Sequence, residues 1–284
     1  MSIKPSLKTV LRSTVAVAAF VAIAGSAHAN SFINGGFETG DFTGWTQGSG
    51  YWGSNPNGGS NYAPFGTGPG GYYTGPGGTL VPSLFSSSGG PYYDPSAGVF
   101  TITNPGGDPN TGGALNMVYS GNHSAKLNDT NNNYSVSTIT QKVTNYSDSH
   151  IYFAWAAVLE GSHGIQDSDN FTLNLTDDTT GTVIYTVSYS SASAAGSSLF
   201  NTYGNNYYTN WQVQNLDVTA LMGHDFTLEL MGADCPYGGH WGYVYLDGFG
   251  AAPPPPGVPE PASMALLGVG LLGAGLVHRR RRNG

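Results

Sequence analysis

The segment FTLNLTDDTTGTVIYTVSY, residues 171–189, carries the pattern that decides the fold class. Polar and apolar residues alternate over Thr172–Thr176, which is the period of a strand with one buried side and one solvent-facing side. The next residues, Asp177–Gly181, are typical of a tight turn, and they lead into the β-branched and aromatic stretch Val183–Tyr185. The segment therefore predicts a β-hairpin.

Similar runs recur through the middle and the end of the chain. They are bounded by turns rich in Asn, Asp and Gly, and no helical period competes with them inside this region. The seven runs are Ser135–Val143, Ile151–Leu159, Phe171–Leu175, Thr182–Tyr189, Trp211–Val218, Phe226–Leu230 and Gly242–Phe249. Together they predict one all-β domain, an antiparallel β-sandwich over residues 30–250.

Two stretches depart from the strand pattern. Residues from about 47 to 98 are rich in Gly, Pro and Tyr without a sustained period, and we interpret them as a long loop insertion in the domain. Their aromatic side chains either pack over one edge of the sandwich or contact a ligand. Residues 251–257 include four consecutive prolines, which predict an extended polyproline linker.

The N-terminus has the three parts of a secretory signal peptide, residues 1–29. Basic residues in the first twelve positions precede the apolar run Val15–Ala24, and Ala27 and Ala29 form a small-x-small cleavage site. Signal peptidase is therefore an expected partner, and the mature chain is expected to begin at Asn30. The alternative, a permanent N-terminal anchor, is disfavoured by the short apolar run.

The C-terminal residues 258–284 also contain three parts. The first is the tetrapeptide Val258, Pro259, Glu260 and Pro261. The second is the apolar run 262–277, which at about 1.5 Å rise per residue is near the lower limit for a transmembrane helix. The third is a basic cluster, Arg279, Arg280, Arg281 and Arg282. Such a cluster is expected to hold its end of the helix in the cytoplasm.

This tripartite order resembles the PEP-CTERM sorting signal of Gram-negative bacteria. The resemblance implies that exosortase, a membrane protease-transpeptidase, cuts near the Pro-Glu-Pro motif while the protein is transiently held in the inner membrane. It also implies an exported protein at the cell surface or in the extracellular matrix of bacteria that make exopolysaccharide. The alternative is an ordinary C-terminal transmembrane anchor, which needs no Pro-Glu-Pro motif.

The charge of the exported region restricts its partners. Between residues 30 and 257 the basic residues are Lys126 and Lys142, against sixteen Asp and Glu, so the formal net charge is −14. This balance excludes nucleic acid as a partner, because phosphate binding depends on Lys and Arg. The single Cys235 cannot form an internal disulfide, and we interpret it as a small buried residue rather than a link to a second chain.

The two ends of the exported domain resemble those of a known fold family. The opening residues 34–45 read NGGFETGDFTGW and the closing residues 243–249 read YVYLDGF, with GNHSAKL at 121–127 and STITQ at 137–141 between them. They resemble the galactose-binding-like jelly rolls of many carbohydrate-binding modules. The resemblance implies a jelly roll, a fold that also hosts enzyme appendages and inert spacers.

The same resemblance implies a structural calcium ion where the first and last strands meet. Glu38 and Asp247 are the candidate carboxylate ligands, with backbone carbonyls near Asn34 and Phe37 completing a shell of oxygen atoms. In the alternative interpretation, Glu38 caps a turn and Asp247 pairs with it through water.

Aromatic side chains are the candidates for sugar contact, because Trp and Tyr rings stack on the C–H faces of pyranoses. The candidate carbohydrate-binding residues are Trp52, Trp211, Asp234, Tyr237, His240 and Trp241. We assign Trp45 and Trp155 to the core. For each candidate tryptophan, a position in the core is the alternative.

No complete catalytic signature is present in the sequence. The pair Asp167 and Asp169 and the pair Cys235 and His240 are the nearest approaches to one, and the second pair also fits a tight connection between strands. We therefore expect no enzymatic activity and assign no catalytic residue.

The favoured function is a structural or adhesive exported protein with weak exopolysaccharide binding. A self-assembling or protein-binding matrix component is the alternative, and a polysaccharide-degrading enzyme is the third possibility.

Overall fold

The computed structural model describes residues 31–53, the backbone of 62–63, and residues 82–162, 164 and 168–253. The predicted signal peptide, most of the proline-rich linker, the sorting signal and the predicted transmembrane helix 262–277 lie outside the described residues. In the part of the chain that is described, no helix is long and apolar enough to span a membrane.

The described residues form thirteen strands and one short α-helix. The strands are β1 Thr46–Trp52, β2 Tyr62–Ala63, β3 Phe100–Thr103, β4 Ser124–Leu127, β5 Ser135–Val143, β6 His150–Glu160, β7 Asn170–Asp177, β8 Thr182–Ser190, β9 Phe200–Tyr203, β10 Asn206–Thr209, β11 Gln212–Asp217, β12 Phe226–Ala233 and β13 Gly242–Gly250. Helix α1 spans Ser191–Ala194, and 3₁₀ helices span Pro82–Phe85, Pro109–Thr111 and Thr219–Leu221.

The strands form two sheets that face each other. Sheet A has the order β2-β1-β5-β12-β7-β8, and sheet B has the order β3-β4-β13-β6-β10-β9, with β11 also paired to β6. All pairs are antiparallel except β1 with β2. From β5 to β7 and again from β11 to β13 the chain crosses between the sheets, as it does in a jelly roll. The predicted antiparallel β-sandwich is confirmed.

The hairpin predicted over residues 171–189 is present as β7 and β8. Phe171 pairs with Tyr189 and Asp177 pairs with Thr182 across it. The Asp177 carboxylate accepts a hydrogen bond from the backbone N–H of Thr179 (3.0 Å), and Gly181 adopts a φ of 71°. A carboxylate followed by a glycine in the left-handed region is the chemistry that a tight turn requires.

The core lies between the two sheets and is rich in aromatic residues. Phe153 and Trp155 of β6 meet Phe171 of β7 there, and Trp155 is 2% exposed. Trp45 is 8% exposed and packs on Phe37 with 5.3 Å between ring centroids. The assignment of both tryptophans to the core is therefore confirmed.

A second layer of packing covers the outer face of sheet B. Residues 104–119, which connect β3 to β4 and are called the covering segment here, place Leu115 against Ala156, Val158 and Tyr208. Strand β6 is consequently buried on both faces over most of its length. This second layer determines which aromatic side chains reach the surface.

The boundary of the predicted insertion needs correction at its start. Residues 47–52, predicted to lie in the loop, form most of β1, and residues 47–51 pair with β5. The strand was hidden because Gly48 and Gly50 break its alternation. A Cβ at Gly48 would collide with the carbonyl of Phe85, and one at Gly50 with the carbonyl of Tyr92, so glycine permits the close approach of residues 82–92 to the strand.

Candidate functional site

A row of five aromatic rings crosses the outer face of sheet B. Ring centroids are separated by 5.7 Å from Trp241 to Tyr243, 5.6 Å from Tyr243 to Tyr245, 6.0 Å from Tyr245 to Trp211, and 5.8 Å from Trp211 to Tyr119. Tyr243 and Tyr245 are two residues apart on β13, so their side chains point to the same face. We call these five side chains the aromatic row.

The covering segment fixes the middle of the aromatic row. The buried Asp108 carboxylate accepts hydrogen bonds from the hydroxyls of Tyr243 (2.8 and 2.9 Å) and Tyr245 (2.7 Å), and the Asn110 amide donates to the Tyr243 hydroxyl (3.0 Å). Burial, together with the nearby Asp108 charge, raises the pKa of both tyrosines. Both therefore stay protonated and continue to donate to Asp108.

Lys126 adds a cation to this arrangement. Its ammonium nitrogen lies 3.8 Å from the centroid of the Tyr243 ring, in the geometry of a cation–π contact. Burial lowers the pKa of Lys126, while the charges of Asp108 and Asp129 act in the opposite direction. Lys126, one of the two lysines between residues 30 and 257, thus contacts and stabilises the aromatic row.

Trp241 forms one end of the aromatic row and is partly exposed. Its ring stacks on Tyr243 with an interplanar angle of 4°. Polar groups lie beside it: the Trp241 backbone N–H donates to Glu160 Oε2 (3.3 Å), and Glu160 is opposite Asn206 in the pairing of β6 with β10. This end combines an aromatic ring with a carboxylate, while the Asn206 amide beyond it donates to the Asn110 carbonyl (2.9 Å).

Trp211 is also partly exposed and lies further along the aromatic row. Its indole N–H donates to the carbonyl of Asn116 in the covering segment (2.8 Å), and its ring contacts Tyr119 and Tyr245. The two candidate tryptophans, which are thirty residues apart in sequence, are therefore parts of one row, with the buried tyrosines between them.

For Trp52, the position in the core is correct and the candidate role in sugar contact is wrong. Its side chain is 1% exposed, and its indole N–H donates to the backbone carbonyl of Asp234 (2.7 Å). The reason is the 3₁₀ helix Pro82–Phe85, which packs over the outer face of sheet A and forms a small cluster with Trp52 and Val136. Trp52 is thus a core residue and presents no ring to a ligand.

Asp234 is also buried, with no exposed surface. Its carboxylate accepts hydrogen bonds from the Asn128 amide (2.7 Å), the Asn133 N–H (3.2 Å), and the N–H (3.1 Å) and hydroxyl (2.9 Å) of Ser135. Burial raises its pKa to about 8, although these donors act against the rise. Asp234 therefore ties the β4–β5 connection to the end of β12, and its assignment as a sugar contact is wrong.

The loop from β12 to β13 contributes fewer exposed groups than the sequence suggested. His240 is 7% exposed, and its carbonyl accepts the N–H of buried Cys235 (3.1 Å), which closes the loop as a tight strand connection. The assignment of His240 as a sugar contact is corrected for this reason. Tyr237 is 49% exposed and, with Trp241, is available at the surface.

A cleft at the other end of β13 brings together the two predicted calcium ligands. Glu38 and Asp247 line it with Ser120, Gly121 and Gly248, and its volume is about 470 Å³. The Asp247 side chain is buried, and its Oδ2 accepts the backbone N–H of Tyr119 (3.0 Å) and of Ser120 (2.9 Å).

Asp247 Oδ1 is buried and has no hydrogen-bond partner among the described residues. Burial raises the pKa of Asp247 to about 7, and the nearby Glu38 charge adds to the rise. An unpaired carboxylate oxygen that shares a cleft with a second carboxylate fits a hard cation such as calcium. Among the described residues no group of three or more His, Cys, Asp or Glu side chains could hold a metal, so backbone oxygens or water would have to complete the shell.

The backbone carbonyl of Asn34 is a less favourable calcium ligand than the Asp247 carboxylate. The Asn34 carbonyl already accepts the N–H of Phe37 (3.1 Å) and the indole N–H of Trp45 (3.2 Å). Glu38 Oε1 accepts the backbone N–H of Asn122 (2.8 Å) and of His123 (3.0 Å), which leaves Glu38 Oε2 as its less occupied oxygen.

Sequence reasoning missed the residues that organise the aromatic row. Asp108 and Asn110 lie in a Gly- and Asn-rich stretch that carries no strand or helix period, and Lys126 was noted only as a charge. Alternation in the closing strand was a usable signal for Tyr243 and Tyr245. No local pattern indicates that residues 104–119 lie over them.

A comparison with protein families matches the C-terminal end of the chain. Residues 257–282 match the model described as the PEP-CTERM protein-sorting motif. This chain carries a PEP-CTERM sorting motif. The motif implies export, processing by exosortase and sorting to the cell surface. No curated protein matches the chain.

Several solved structures are similar to the β-sandwich. TmCBM61, solved in complex with β-1,4-galactotriose, has a TM-score of 0.36 and 11% identity, covering 77% of this chain and 95% of that one. The carbohydrate-binding module CBM28, described as specific for non-crystalline cellulose, has a TM-score of 0.34 and 12% identity, covering 76% and 92%. The enzymatically active domain of bacteriophage CBA120 tailspike protein 4 has a TM-score of 0.35 and 12% identity, covering 78% and 21%. Because these scores are below 0.5, the fold assignment rests on the strand pairing itself.

Proposed function

We propose that this exosortase-sorted protein binds polysaccharide weakly through the two tryptophans of its aromatic row, and that it has a structural or adhesive role at the cell surface or in the matrix. The observation that supports the proposal is the arrangement of Trp241 and Trp211. Both are partly exposed on one face of sheet B, while the tyrosines between them are buried and hydrogen-bonded.

The chemistry of the Trp241 end suits a sugar ring. An indole face packs on the C–H surface of a pyranose, and carboxylate and amide groups accept and donate hydrogen bonds to its hydroxyls. Glu160 supplies a carboxylate next to Trp241, and Asn206 lies one strand further, where its amide N–H donates to the Asn110 carbonyl (2.9 Å) and its amide oxygen is the group left to accept. Because Asp108 and the stacked Tyr243 hold the row in place, little side-chain entropy is lost on binding.

The charge of the exported domain narrows the class of polymer. With a formal net charge of −14 over residues 30–257, the domain repels a polyanion. We therefore propose neutral sugar residues as the direct contacts, with a bridging cation wherever the polymer is acidic. Two small aromatic contacts give one copy of the protein a low affinity for one polysaccharide molecule. Many copies on one surface increase the overall strength of binding to the polymer.

Affinity electrophoresis in gels that contain the producing organism's exopolysaccharide tests this proposal. The protein is expected to be retarded, with retardation reduced in Trp241→Ala and in Trp211→Ala. Tyr152→Ala is the matched control, because Tyr152 is a partly exposed aromatic residue of β6 that stacks on His150 outside the aromatic row. Equal mobility of all four proteins with and without polymer would contradict the proposal.

We also propose that calcium binds in the cleft of Glu38 and Asp247 and has a structural role. The unpaired Asp247 Oδ1 supports this, and the cleft joins residues near the start of the domain to β13 at its end. A cation bound there would link segments that are distant in sequence. It would stabilise the folded domain, because the unfolded chain does not present the site.

A further inference from the structure

Strand β8 forms a free edge of sheet A. It has nine residues, whereas the edge strands β3 and β9 of sheet B have four each and β11 has six. Among the described residues, β7 is the one strand that pairs with β8, so its other side presents backbone N–H and C=O groups. The strand reads TVIYTVSYS, with no charged residue and no proline.

Exposed edges of this kind are normally protected. Natural sheets use short edge strands, charged side chains, proline or bulges to prevent pairing with another chain. On β8 the visible protection is an irregularity in the register, where Ile184 is the extra residue between Val183 and Tyr185. Beyond it, Tyr185–Ser190 pairs regularly with β7 and leaves a regular six-residue edge.

The side chains along this edge are compatible with a second copy of the same strand. Pairing two copies antiparallel about Val187 sets Thr186 opposite Ser188 on the solvent-facing side. It sets Tyr185 opposite Tyr189 on the side that faces the core, where both are half-buried. Hydroxyl pairs and aromatic pairs are favourable cross-strand neighbours. A two-fold axis generates this contact from one strand sequence.

Electrostatics favour this edge for contact between copies. The exported region carries a formal net charge of −14, so two copies repel each other over most approaches. Residues 182–190 contain no acidic side chain, and approach along them avoids direct contact between carboxylates. Pairing here uses backbone hydrogen bonds, which do not depend on charge.

We propose that two copies of this chain pair antiparallel along the free edge of β8, which joins two copies of sheet A into one continuous sheet. The paired segment is short, so the contact is weak between isolated copies and forms where the protein is concentrated on a surface. This interface is separate from the aromatic row, which lies on sheet B.

Cross-linking between single-cysteine variants tests the proposal in the full chain, expressed and exported by its own host. The native Cys235 is buried, so a cysteine at an exposed position is the reactive site. Thr186→Cys and Ser188→Cys are the test variants, and Val213→Cys is the control, because Val213 is 45% exposed on the edge strand β11 of the other sheet. A short bis-maleimide is the reagent.

The β8 variants are expected to give at least five times more covalent dimer than Val213→Cys. Adding Ser188→Asp to the Thr186→Cys variant is expected to reduce the yield of covalent dimer at least threefold, because a carboxylate then faces position 186 of the other copy. Adding Val213→Asp to the same variant is the control and is expected to leave the dimer yield unchanged. Equal dimer yields from β8 and β11 would overturn the proposal.

Discussion

Asp247 is the residue whose environment has the clearest energetic consequence. One carboxylate oxygen accepts two backbone hydrogen bonds, and the other is buried without a partner in the part of the chain that the structure describes. A buried polar atom left unsatisfied costs about 1–3 kcal/mol. A cation shared with Glu38 would remove that cost, which is why the calcium proposal leads to measurable effects.

Removal of calcium is expected to destabilise the protein. At a free calcium concentration of about 100 times Kd, bound calcium raises the free energy of unfolding by about 2.7 kcal/mol, so Tm should fall by several degrees on addition of EDTA. Differential scanning calorimetry of Asp247→Asn should show no response to calcium or EDTA. Asp148→Asn, which removes the same charge outside the cleft, should respond like the native protein. An EDTA-insensitive native protein that contains no metal would contradict the calcium proposal.

The pH dependence of calcium binding follows from the raised pKa of Asp247, about 7. Calcium binds the ionised carboxylate, so its apparent affinity should fall by up to about tenfold per pH unit below this value. Without calcium, the contribution of Asp247 to the free energy of unfolding changes with pH in the opposite direction to the calcium affinity. The stability that the protonated group contributes is present below the ordinary Asp pKa and is lost as pH rises through about 7. Calorimetric titrations at pH 5.5, 6.5 and 7.5 would show this, and a flat affinity would contradict it.

Strand β1 shows what could and could not be predicted at the scale of elements. All seven predicted runs are strands, because each is an alternating or β-branched and aromatic run bounded by turn residues. Strand β1 was missed because Gly48 and Gly50 make room for residues 82–92, a contact made by residues distant in sequence. The position of the covering segment could not be predicted from the sequence for the same reason, because Asp108 accepts hydrogen bonds from tyrosines that are 135 and 137 residues away.

Substitution of Gly48 by Ala tests that contact. The added methyl group would collide with the Phe85 carbonyl and lie 2.5 Å from Thr138 Oγ1, so we expect a loss of about 1–3 kcal/mol in the free energy of unfolding. Gly196→Ala is the matched control, because apart from its two chain neighbours no described residue lies within 4 Å of its Cβ position. Urea unfolding monitored by tryptophan fluorescence measures both, and equal midpoints would show that residues 82–92 do not pack closely on β1.

At the scale of the whole molecule, three properties act together. The PEP-CTERM motif at residues 257–282 implies processing and sorting by exosortase, and the region 30–257 carries a formal net charge of −14. The two-sheet sandwich presents separate surfaces for its proposed contacts, the aromatic row on sheet B and the β8 edge on sheet A. A protein retained at a surface can use both contacts even when each is weak.

Exosortase processing predicts a specific change at the C-terminus. Mass spectrometry of the protein from producing cells should find a C-terminus near Pro259–Pro261, with Arg279–Arg282 absent. In cells without exosortase the arginines should be retained. Replacement of Glu260 by Ala is expected to reduce processing, whereas Glu229→Ala within the domain is the control. Intact arginines in both strains would contradict processing of this chain by exosortase.

The central claim is that the aromatic row binds polysaccharide, and isothermal titration of exopolysaccharide into the protein tests it most directly. With calcium present, we expect saturable binding that weakens at least tenfold in the Trp241→Ala/Trp211→Ala double variant, while Tm stays within a few degrees of the native value. The Tyr152→Ala variant should bind like the native protein. Native binding that persists unchanged in the double variant, or no binding by the native protein, would contradict the claim.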